Sequence, residues 1–420
     1  MAIAVPSIAV STNYLTTIRD SLSSLLDEQN RTTGSLPYAG VPWAYFATGL
    51  SYTYHLYSLI GIYDYLLYSG DIQYVEHYWP VYKRALNWSL SYVDDSGLAN
   101  VTQSADWLRF GMGGHNIEAN AILYYVLNQG TYLAAVLNDT SVSSWSKTAA
   151  GIKNATYDRL WDASANLYRD NDTHPLTSLH PQDGNSWAVI ANLTHSAAQN
   201  SNISTALSSR WTKYGAPAPE AGATVSPFIS GFELQAHYIA GHAERAVKLM
   251  KFMWADFMLD DPRMTNSTFI EGYSTNGDLH YAPYTNDPRI SHAHGWATGP
   301  TSALTYFAAG LQVNTVSGKT WTIAPSLGGL EYAEAGYETP LGTFTSNVRT
   351  TEEGLSIAFS TPQKTSGSLS VRYQGQAANL TILGDDGISQ QHHVPAGGSG
   401  RFVVSDLPGG DYKAVLVFET

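Results

Sequence analysis

The chain has no cysteine among its 420 residues. Without thiols it forms no disulfide bond, has no thiolate nucleophile, and cannot hold zinc or an iron–sulfur cluster through cysteine ligands. Long hydrophobic runs are also missing, since no window approaches the roughly 18 consecutive apolar residues that a membrane-spanning helix needs. These absences favour a globular protein whose class must be found in other features.

Charged residues are scarce, at 14% of the chain, against about 25% in average composition. Basic residues are the rarer kind: 22 Lys and Arg stand against 35 Asp and Glu, so the net charge is −13. A protein that binds nucleic acid or an anionic membrane surface needs a basic surface to meet the phosphate groups. We therefore expect neither a nucleic acid nor a membrane as a partner.

Glycosylation motifs, in contrast, are frequent. Ten Asn-x-Ser/Thr motifs occur, at Asn30, Asn87, Asn100, Asn138, Asn154, Asn171, Asn192, Asn202, Asn266 and Asn379. With the acidic composition they favour a secreted, extracellular glycoprotein. Residues 1–20 nevertheless have no basic stretch, and Pro6 interrupts their apolar run, so no signal peptide is visible. We expect an N-terminal segment ahead of Met1, and a homodimer is left open.

Helical periodicity dominates the first three-quarters of the chain. Apolar and aromatic residues recur at a spacing of 3.6 in ten segments, 14–26, 51–68, 72–93, 117–137, 142–160, 187–194, 201–213, 228–239, 243–259 and 301–311. Asp71 and Ser230 are candidate N-caps, and Gly241 and Gly310 are candidate stops. Short and long links alternate, which predicts helical hairpins arranged as an (α/α)6 barrel. Six hairpins need twelve helices, so we expect one or two helices to be missing from the N-terminal end of the barrel.

The pattern changes after about residue 312. Short β-branched, alternating segments follow, at 319–323, 343–350, 355–359, 368–373, 379–383, 400–404 and 413–418. Gly, Pro and Asp separate them, which predicts an antiparallel β-sandwich. We therefore predict two domains: an all-α barrel over residues 1–312 and an all-β domain over residues 313–420.

Several motifs of nucleophilic and cofactor chemistry are missing from the sequence. It contains no G-x-S-x-G, no G-x-x-x-x-G-K-[ST], no convincing dinucleotide fingerprint and no H-E-x-x-H. We expect no cofactor. His292 and His294 lie two residues apart, but no third ligand is evident nearby, so we expect ordinary polar contacts there and no metal site.

What remains is a set of carboxylates among aromatic residues, which is what sugar chemistry needs. Hydrolysis of a glycoside requires an acid for the leaving oxygen and a base or nucleophile opposite it, normally two Asp or Glu. Aromatic faces stack on sugar rings, while Asp, Asn and His bond to hydroxyl groups. Two regions concentrate these groups: residues 104–111, and residues 267–273 together with 291–300.

At these residues the chain resembles the α-L-rhamnosidases of the six-hairpin glycosidase group, in their fungal-type branch. The similar segments are Leu-Pro-Tyr-Ala-Gly at 36–40, Ala105-Asp106-Trp107, Ser-Pro-Phe-Ile-Ser-Gly at 226–231, 268–273, 291–300, Ile323-Ala324-Pro325 and Tyr-Glu-Thr-Pro-Leu-Gly at 337–342. No single motif is specific, but their order and spacing together are. The resemblance covers nearly the whole chain.

The resemblance implies an (α/α)6 catalytic barrel that hydrolyses terminal α-L-rhamnosides with inversion. The general base of the family corresponds to Glu271, its sugar-binding Asp-Trp pair to Asp106 and Trp107, and a His before the last helix to His294. The nearby aromatic residues Trp43, Tyr273 and Trp296 are further candidates for substrate binding.

Two departures from the family pattern affect the site. Ile270 occupies the position before the base, where the family has Trp, so one stacking surface is changed. The family's general acid lies in an Arg-Asp-Arg run upstream of a stretch like 2–7, and that motif is absent from this sequence. The general acid is therefore unassigned, with Asp106 as a candidate substitute.

Simpler roles and other functions also fit these residues. Glu271 could form a structural ion pair, Asp106 could cap a turn, and His294 could satisfy local backbone groups. The alternative function is a repurposed or inactive glycosidase fold that binds a sugar or an apolar small molecule, with or without another activity. An exo-glycosidase for an anionic sugar ranks lower, because the candidate loops hold few cations, namely Arg109, Arg263 and Arg289.

Overall fold

The computed structural model describes residues 1–38, 50–107, 109–174, 176–281, 284, 290–385, 387, 389–397 and 399–419. By their internal contacts they divide into two units. The first comprises Met1–Val5, Thr16–Asp64 and Asp71–Gly299, and the second comprises Pro6–Leu15, Tyr65–Gly70 and Pro300–Thr420. The sequence-based division at residue 312 stays a prediction.

Helices dominate the first three hundred residues. They are α1 (Ala4–Ser11), α2 (Leu15–Asp27), α3 (Tyr52–Ser69), α4 (Ile72–Leu90), α5 (Ile117–Val136), α6 (Ser144–Leu160), α7 (Gln182–Ile190), α8 (Ala197–Ser208), α9 (Pro227–Ile239), α10 (Ala243–Leu249) and α11 (Gly299–Ala303). The last two continue as π-helical stretches, Met250–Leu259 and Leu304–Ala308. Among helices of the described residues, none has both the length and the apolar character that crossing a bilayer requires.

Each of the ten predicted helices overlaps an observed helix, but α1 was not predicted. Pro6 interrupts the apolar run of this segment, yet it lies in the first turn of α1. Amide groups of a first turn have no partner within their own helix, so proline costs no hydrogen bond there.

The predicted helix ends are correct at three of four positions. The Asp71 side chain accepts from Tyr74 N at 3.0 Å and caps α4. Gly241 and Gly310 follow helices with φ of 85° and 74°, which suits glycine because it has no Cβ. The Ser230 prediction is wrong, because α9 begins at Pro227 and Ser230 is buried within it. Proline at the first helical position sets this start, since its fixed φ already suits a helix.

Aromatic side chains from three helices meet in the interior of the first unit. Tyr57 of α3 and Phe232 of α9 stack with ring centres 6.2 Å apart. The ring centres of Trp187 of α7 and Phe232 are 4.7 Å apart, and Trp187 Nε1 donates to Tyr57 Oη at 3.2 Å. These rings hold together α3, α7 and α9.

The strands are β1 (Trp161–Asp162), β2 (Leu167–Tyr168), β3 (Pro217–Ala218), β4 (Thr224–Val225), β5 (Tyr273–Ser274), β6 (Leu311–Val313), β7 (Thr320–Ile323), β8 (Tyr332–Thr339), β9 (Gly342–Thr350), β10 (Gly354–Ser360), β11 (Ser366–Gln374), β12 (Ala378–Gly384), β13 (Ser389–Val394), β14 (Ser399–Pro408) and β15 (Asp411–Phe418). Two sheets contain β6 to β15. One has the order β13-β12-β15-β10-β9-β8 and the other the order β14-β11-β7-β6.

The larger sheet is antiparallel throughout, while β7 and β11 of the smaller sheet pair in parallel. Alternate residues of β10 are buried, as expected for a strand with one face in a core. Trp321 of β7 and Phe359 of β10 bring the two sheets into contact, with ring centres 5.8 Å apart.

Of the ten strands β6 to β15, three were not predicted from the sequence, and neither were the two-residue strands β1 to β5. The Ala, Glu and Gly of β8 have low strand propensity, and β13 is an edge strand with little buried surface. Strand β6 is only three residues long and lies at an edge of the smaller sheet. All three form because they pair with a neighbouring strand, and that pairing cannot be read from the sequence of the strand itself.

The packing at Gly299 gives a stability test. A Cβ on Gly299 would lie 2.5 Å from the Cα of Gly231. Because backbone cannot move aside as a flexible side chain can, Gly299→Ala should lower the free energy of unfolding by about 1–3 kcal/mol, measured by urea denaturation. Gly151→Ala in α6 is the matched control, since its Cβ would meet nothing within 4 Å. Equal effects of the two substitutions would contradict this close approach.

Candidate active site

Glu271 is a buried carboxylate held by two uncharged donors. Its residue is only 5% exposed, although it lies in a loop. Tyr284 Oη donates to Oε1 at 2.6 Å, and the backbone N–H of Ser291 donates to Oε2 at 3.1 Å. Both oxygens are therefore fixed in position, and neither donor neutralises the negative charge.

Backbone hydrogen bonds join the two loop segments that the sequence analysis selected. Glu271 N donates to Ser291 O at 2.8 Å, and His294 N donates to Phe269 O at 2.9 Å. Trp296 Nε1 donates to Glu271 O at 2.9 Å. These hydrogen bonds bring Glu271 close to His294 and Trp296, although more than twenty positions separate it from them in the sequence.

The rings beside Glu271 form a half-buried aromatic surface. His294 and Trp296 have ring centres 4.4 Å apart, and Trp296 stacks on Phe228 of α9 at 5.2 Å. Burial lowers the pKa of His294 below its ordinary value, while the charge of Glu271 acts in the opposite direction. His294 is therefore neutral at pH 7, and its ring can both donate and accept a hydrogen bond.

Asp106 lies in the other predicted region, residues 104–111, and is only 3% exposed. Thr53 of α3 donates to Asp106 Oδ1, and Tyr38 Oη donates to its backbone oxygen at 3.1 Å. Burial raises the pKa of Asp106 to about 6. Its carboxyl group therefore holds a proton at a pH where an exposed aspartate would have lost it.

A single buried guanidinium organises the carboxyl groups behind Asp106. Arg109 Nη1 lies 3.0 Å from Asp183 Oδ2 and 3.7 Å from Glu118 Oε2, and Arg109 Nη2 pairs with Asp170. Burial opposes the guanidinium charge, but Asp183 and Asp170 more than offset this, so the pKa of Arg109 is raised. Glu220 completes the cluster by accepting from the backbone N–H groups of Gln182 and Asp183, each at 2.9 Å.

Sequence reasoning missed the four acids around Arg109: Glu118, Asp170, Asp183 and Glu220. One signal was available, because Glu118 is the only acidic residue in the otherwise apolar helix α5. An acid in such a stretch is rarely buried unless it is paired. Its partners come from segments distant in the sequence, so the pattern alone could not identify them.

Tyr281 joins the two halves of the site. Its Oη donates to Trp107 O at 3.5 Å, and its ring lies 5.4 Å from that of Tyr284, the donor to Glu271. A Cβ on Gly272 would lie 2.4 Å from the Tyr281 ring, so the residue after Glu271 must be glycine for this packing. The Asp106 and Glu271 segments are therefore neighbours.

Two of the predicted substrate-binding residues, Trp107 and Tyr273, are buried and hydrogen-bonded within the protein. Trp107 is 0% exposed, and its Nε1 donates to Asp183 Oδ2 at 3.1 Å. Tyr273 is also 0% exposed, and its Oη donates to Tyr214 O at 2.7 Å. Both rings are fully buried in this structure, and their roles in substrate binding stay predictions. Trp43 lies outside the described residues.

Comparison with known proteins now decides the family. The sequence model of the bacterial α-L-rhamnosidase six-hairpin glycosidase domain matches residues 1–251. The chain belongs to this family. No curated protein matches its sequence.

Solved rhamnosidases share the fold of this family member at low identity. The α-L-rhamnosidase of Dictyoglumus thermophilum has a TM-score of 0.70 at 15% identity, over 98% of this chain and 46% of its own. The GH78 family rhamnosidase of Bacillus sp. GL1 has a TM-score of 0.64 at 20% identity, over 80% of this chain and 34% of its own. The α-L-rhamnosidase of Streptomyces avermitilis, complexed with L-rhamnose, has a TM-score of 0.65 at 14% identity, over 98% of this chain and 37% of its own.

The chain thus spans less than half the length of each of these three enzymes. At such identities the likeness shows the fold alone. That fold is a helical six-hairpin domain followed by C-terminal antiparallel β-sheets, as the sequence predicted.

Removing the central cation tests the buried cluster. Arg109→Met leaves several buried carboxylates without a counter-charge and should lower the free energy of unfolding by about 3–5 kcal/mol at pH 7. Urea denaturation measures this loss. Arg19→Met is the matched control, because Arg19 and its partner Asp20 are exposed, and it should change stability by less than about 0.5 kcal/mol.

The loss in Arg109→Met should shrink as the pH falls from 7 to 5. Burial raises the pKa values of Asp106, Glu118 and Asp170, and removing the cation raises them further. A carboxyl whose pKa is higher in the folded state binds protons more tightly there, so lowering the pH favours folding. A loss that stays constant over this range would contradict the placement of the charges.

Proposed function

We propose that this rhamnosidase-like glycoside hydrolase removes terminal α-L-rhamnose from glycosides or polysaccharides with inversion. The observation that carries the proposal is the geometry of Glu271, a fixed and unneutralised carboxylate beside the half-buried rings of His294 and Trp296. The matched family region ends at residue 251, so the role of Glu271 rests on this geometry and on the resemblance of its loop.

Glu271 would act as the general base. Its carboxylate takes a proton from a water molecule while the water oxygen bonds to the anomeric carbon. The bond between that carbon and the glycosidic oxygen breaks, and the oxygen leaves with a proton from the general acid. Water is thereby added across the broken bond, and the configuration inverts because attack comes from the opposite face.

Asp106 would be the substitute for the general acid, whose family motif this sequence lacks. A general acid works best when its pKa lies near the working pH, and burial raises the pKa of Asp106 to about 6. The half-buried rings of Trp296 and His294 would meet the sugar, with stacking from the indole and a hydrogen bond from the imidazole.

Extracellular action is part of the proposal. Of the ten asparagines in glycosylation motifs, nine are exposed in the structure and Asn171 is partly exposed. Their accessibility supports the glycoprotein expected from the sequence, and a terminal rhamnose on an extracellular glycoside would be within reach of such an enzyme.

Glu271→Gln tests the catalytic assignment. The glutamine keeps the size of the side chain, and its amide can still bond with the Tyr284 hydroxyl and the Ser291 N–H. Because only the base is lost, turnover of an aryl α-L-rhamnoside should fall by about 10²–10⁴-fold. Rhamnose affinity, measured by calorimetry, should change little.

Glu76→Gln is the control, because Glu76 is an exposed carboxylate on α4 and its change should alter neither quantity. Hydrolysis by the parent protein that survives Glu271→Gln unchanged would exclude Glu271 as the base. A parent protein that binds rhamnose without hydrolysing the glycoside would point to the repurposed fold. One that neither binds nor hydrolyses would overturn the proposal.

A further inference from the structure

The carboxyl groups of Asp106 and Glu118 face each other in the interior. Both residues belong to a group of carboxylates, with Asp183, whose nearest oxygens lie within 4.8 Å of one another. Asp106 Oδ1 accepts from Thr53, and Glu118 Oε1 accepts from Tyr57 Oη at 3.2 Å. One oxygen of each group is therefore already bonded to a hydroxyl donor.

The other two oxygens accept no hydrogen bond in the described part of the chain, and Glu118 Oε2 has only the Arg109 guanidinium nearby, at 3.7 Å. Asp106 Oδ2 and Glu118 Oε2 are buried and lack a hydrogen-bond partner. Ionised carboxylates only accept hydrogen bonds, so two of them in contact leave both oxygens unsatisfied and also repel each other. One proton between the two groups removes both penalties, as in carboxyl pairs that share a proton.

The surrounding charges favour a proton over a metal ion in this place. The Arg109 guanidinium contacts two of the three carboxyl groups of the cluster, Asp183 and Glu118. A divalent cation there would lie against a fixed positive charge. One guanidinium nevertheless offsets only one of the negative charges of Asp106, Glu118, Asp170 and Asp183, so a further positive charge is needed.

Other titratable groups near the pair do not supply that charge. Burial raises the pKa values of Tyr38, Tyr54 and Tyr57, so these phenols are neutral. Glu220 supplies no positive charge, and each of its carboxyl oxygens accepts from a backbone N–H group. A proton from solvent is the remaining source.

We propose that Asp106 and Glu118 hold one proton between them at neutral pH, and that Glu118 is the positioning residue that fixes the orientation and charge of Asp106. The effect of this shared proton on sugar binding rests on the proposed function. Burial is the main cause of the raised pKa of both carboxyls. Because the two carboxyl groups interact, they titrate as a coupled pair.

Infrared difference spectroscopy on the unliganded chain tests the shared proton. The parent protein minus Glu118→Gln should show the C=O band of a protonated carboxyl group at pH 7. The band is lost in Glu118→Gln because the amide donates to Asp106 Oδ2 and the proton is no longer needed. Other protonated acids cancel in the difference, and parent minus Glu76→Gln should show no such band.

Three spectroscopic outcomes are decisive. A band in the parent difference spectrum that disappears on raising the pH supports the proposal. A spectrum without the band shows that both groups are ionised and overturns it. A band that disappears on adding Ca²⁺ at constant pH identifies a cation site and also overturns it.

Ligand binding then tests the positioning role. Glu118→Gln should keep rhamnose affinity within about threefold, whereas Glu118→Leu leaves Asp106 Oδ2 without a donor and should weaken it about tenfold or more. Urea denaturation confirms that each variant is folded. Equal affinities for the two variants would overturn the positioning role. If the parent protein shows the carboxyl C=O band but does not bind rhamnose, the proposed function fails and the shared proton is still supported.

Discussion

The guanidinium of Arg109 is the charge on which the interior of the site depends. It is buried among the carboxyl groups of Asp170, Asp183 and Glu118, which come from separate segments of the chain. Without it these groups would be charged and unpaired in a region that excludes water, at a cost of several kcal/mol. The ion pairs therefore hold a loop and the starts of α5 and α7 in one arrangement, and Asp106 takes its position from that loop.

The opposite side of the site has a different electrostatic construction. Glu271 is held by a phenol and a backbone amide, which fix a carboxylate without cancelling its charge. A carboxylate of this kind can accept a proton, whereas the Asp106 side lies among acids that burial disposes to keep one. The contrast between the two sides suits a reaction that gives a proton at one atom and takes one at another.

Local pattern was a good guide where local forces decide the structure. The ten predicted helices follow from side-chain periodicity, and the Asp71 cap forms within a single turn. Local pattern failed where strand pairing decides the structure, as in β8 and β13, and at Ser230, which the pattern placed at the start of a helix that begins at Pro227. Aromatic residues were ambiguous for the same reason, because Trp107 and Tyr273 suit a core as well as a sugar.

The sequence by itself determined the helical and β-rich halves, the absence of thiol chemistry, and a family resemblance that selected Glu271, Asp106 and His294. Only the tertiary structure decided which acids surround Arg109, since Asp183 is 74 positions away from it in the sequence. Periodicity reports which residues are buried, but it does not report which buried charges meet. That depends on how helices far apart in the chain pack, because a buried charge is stable only where the fold brings it a partner.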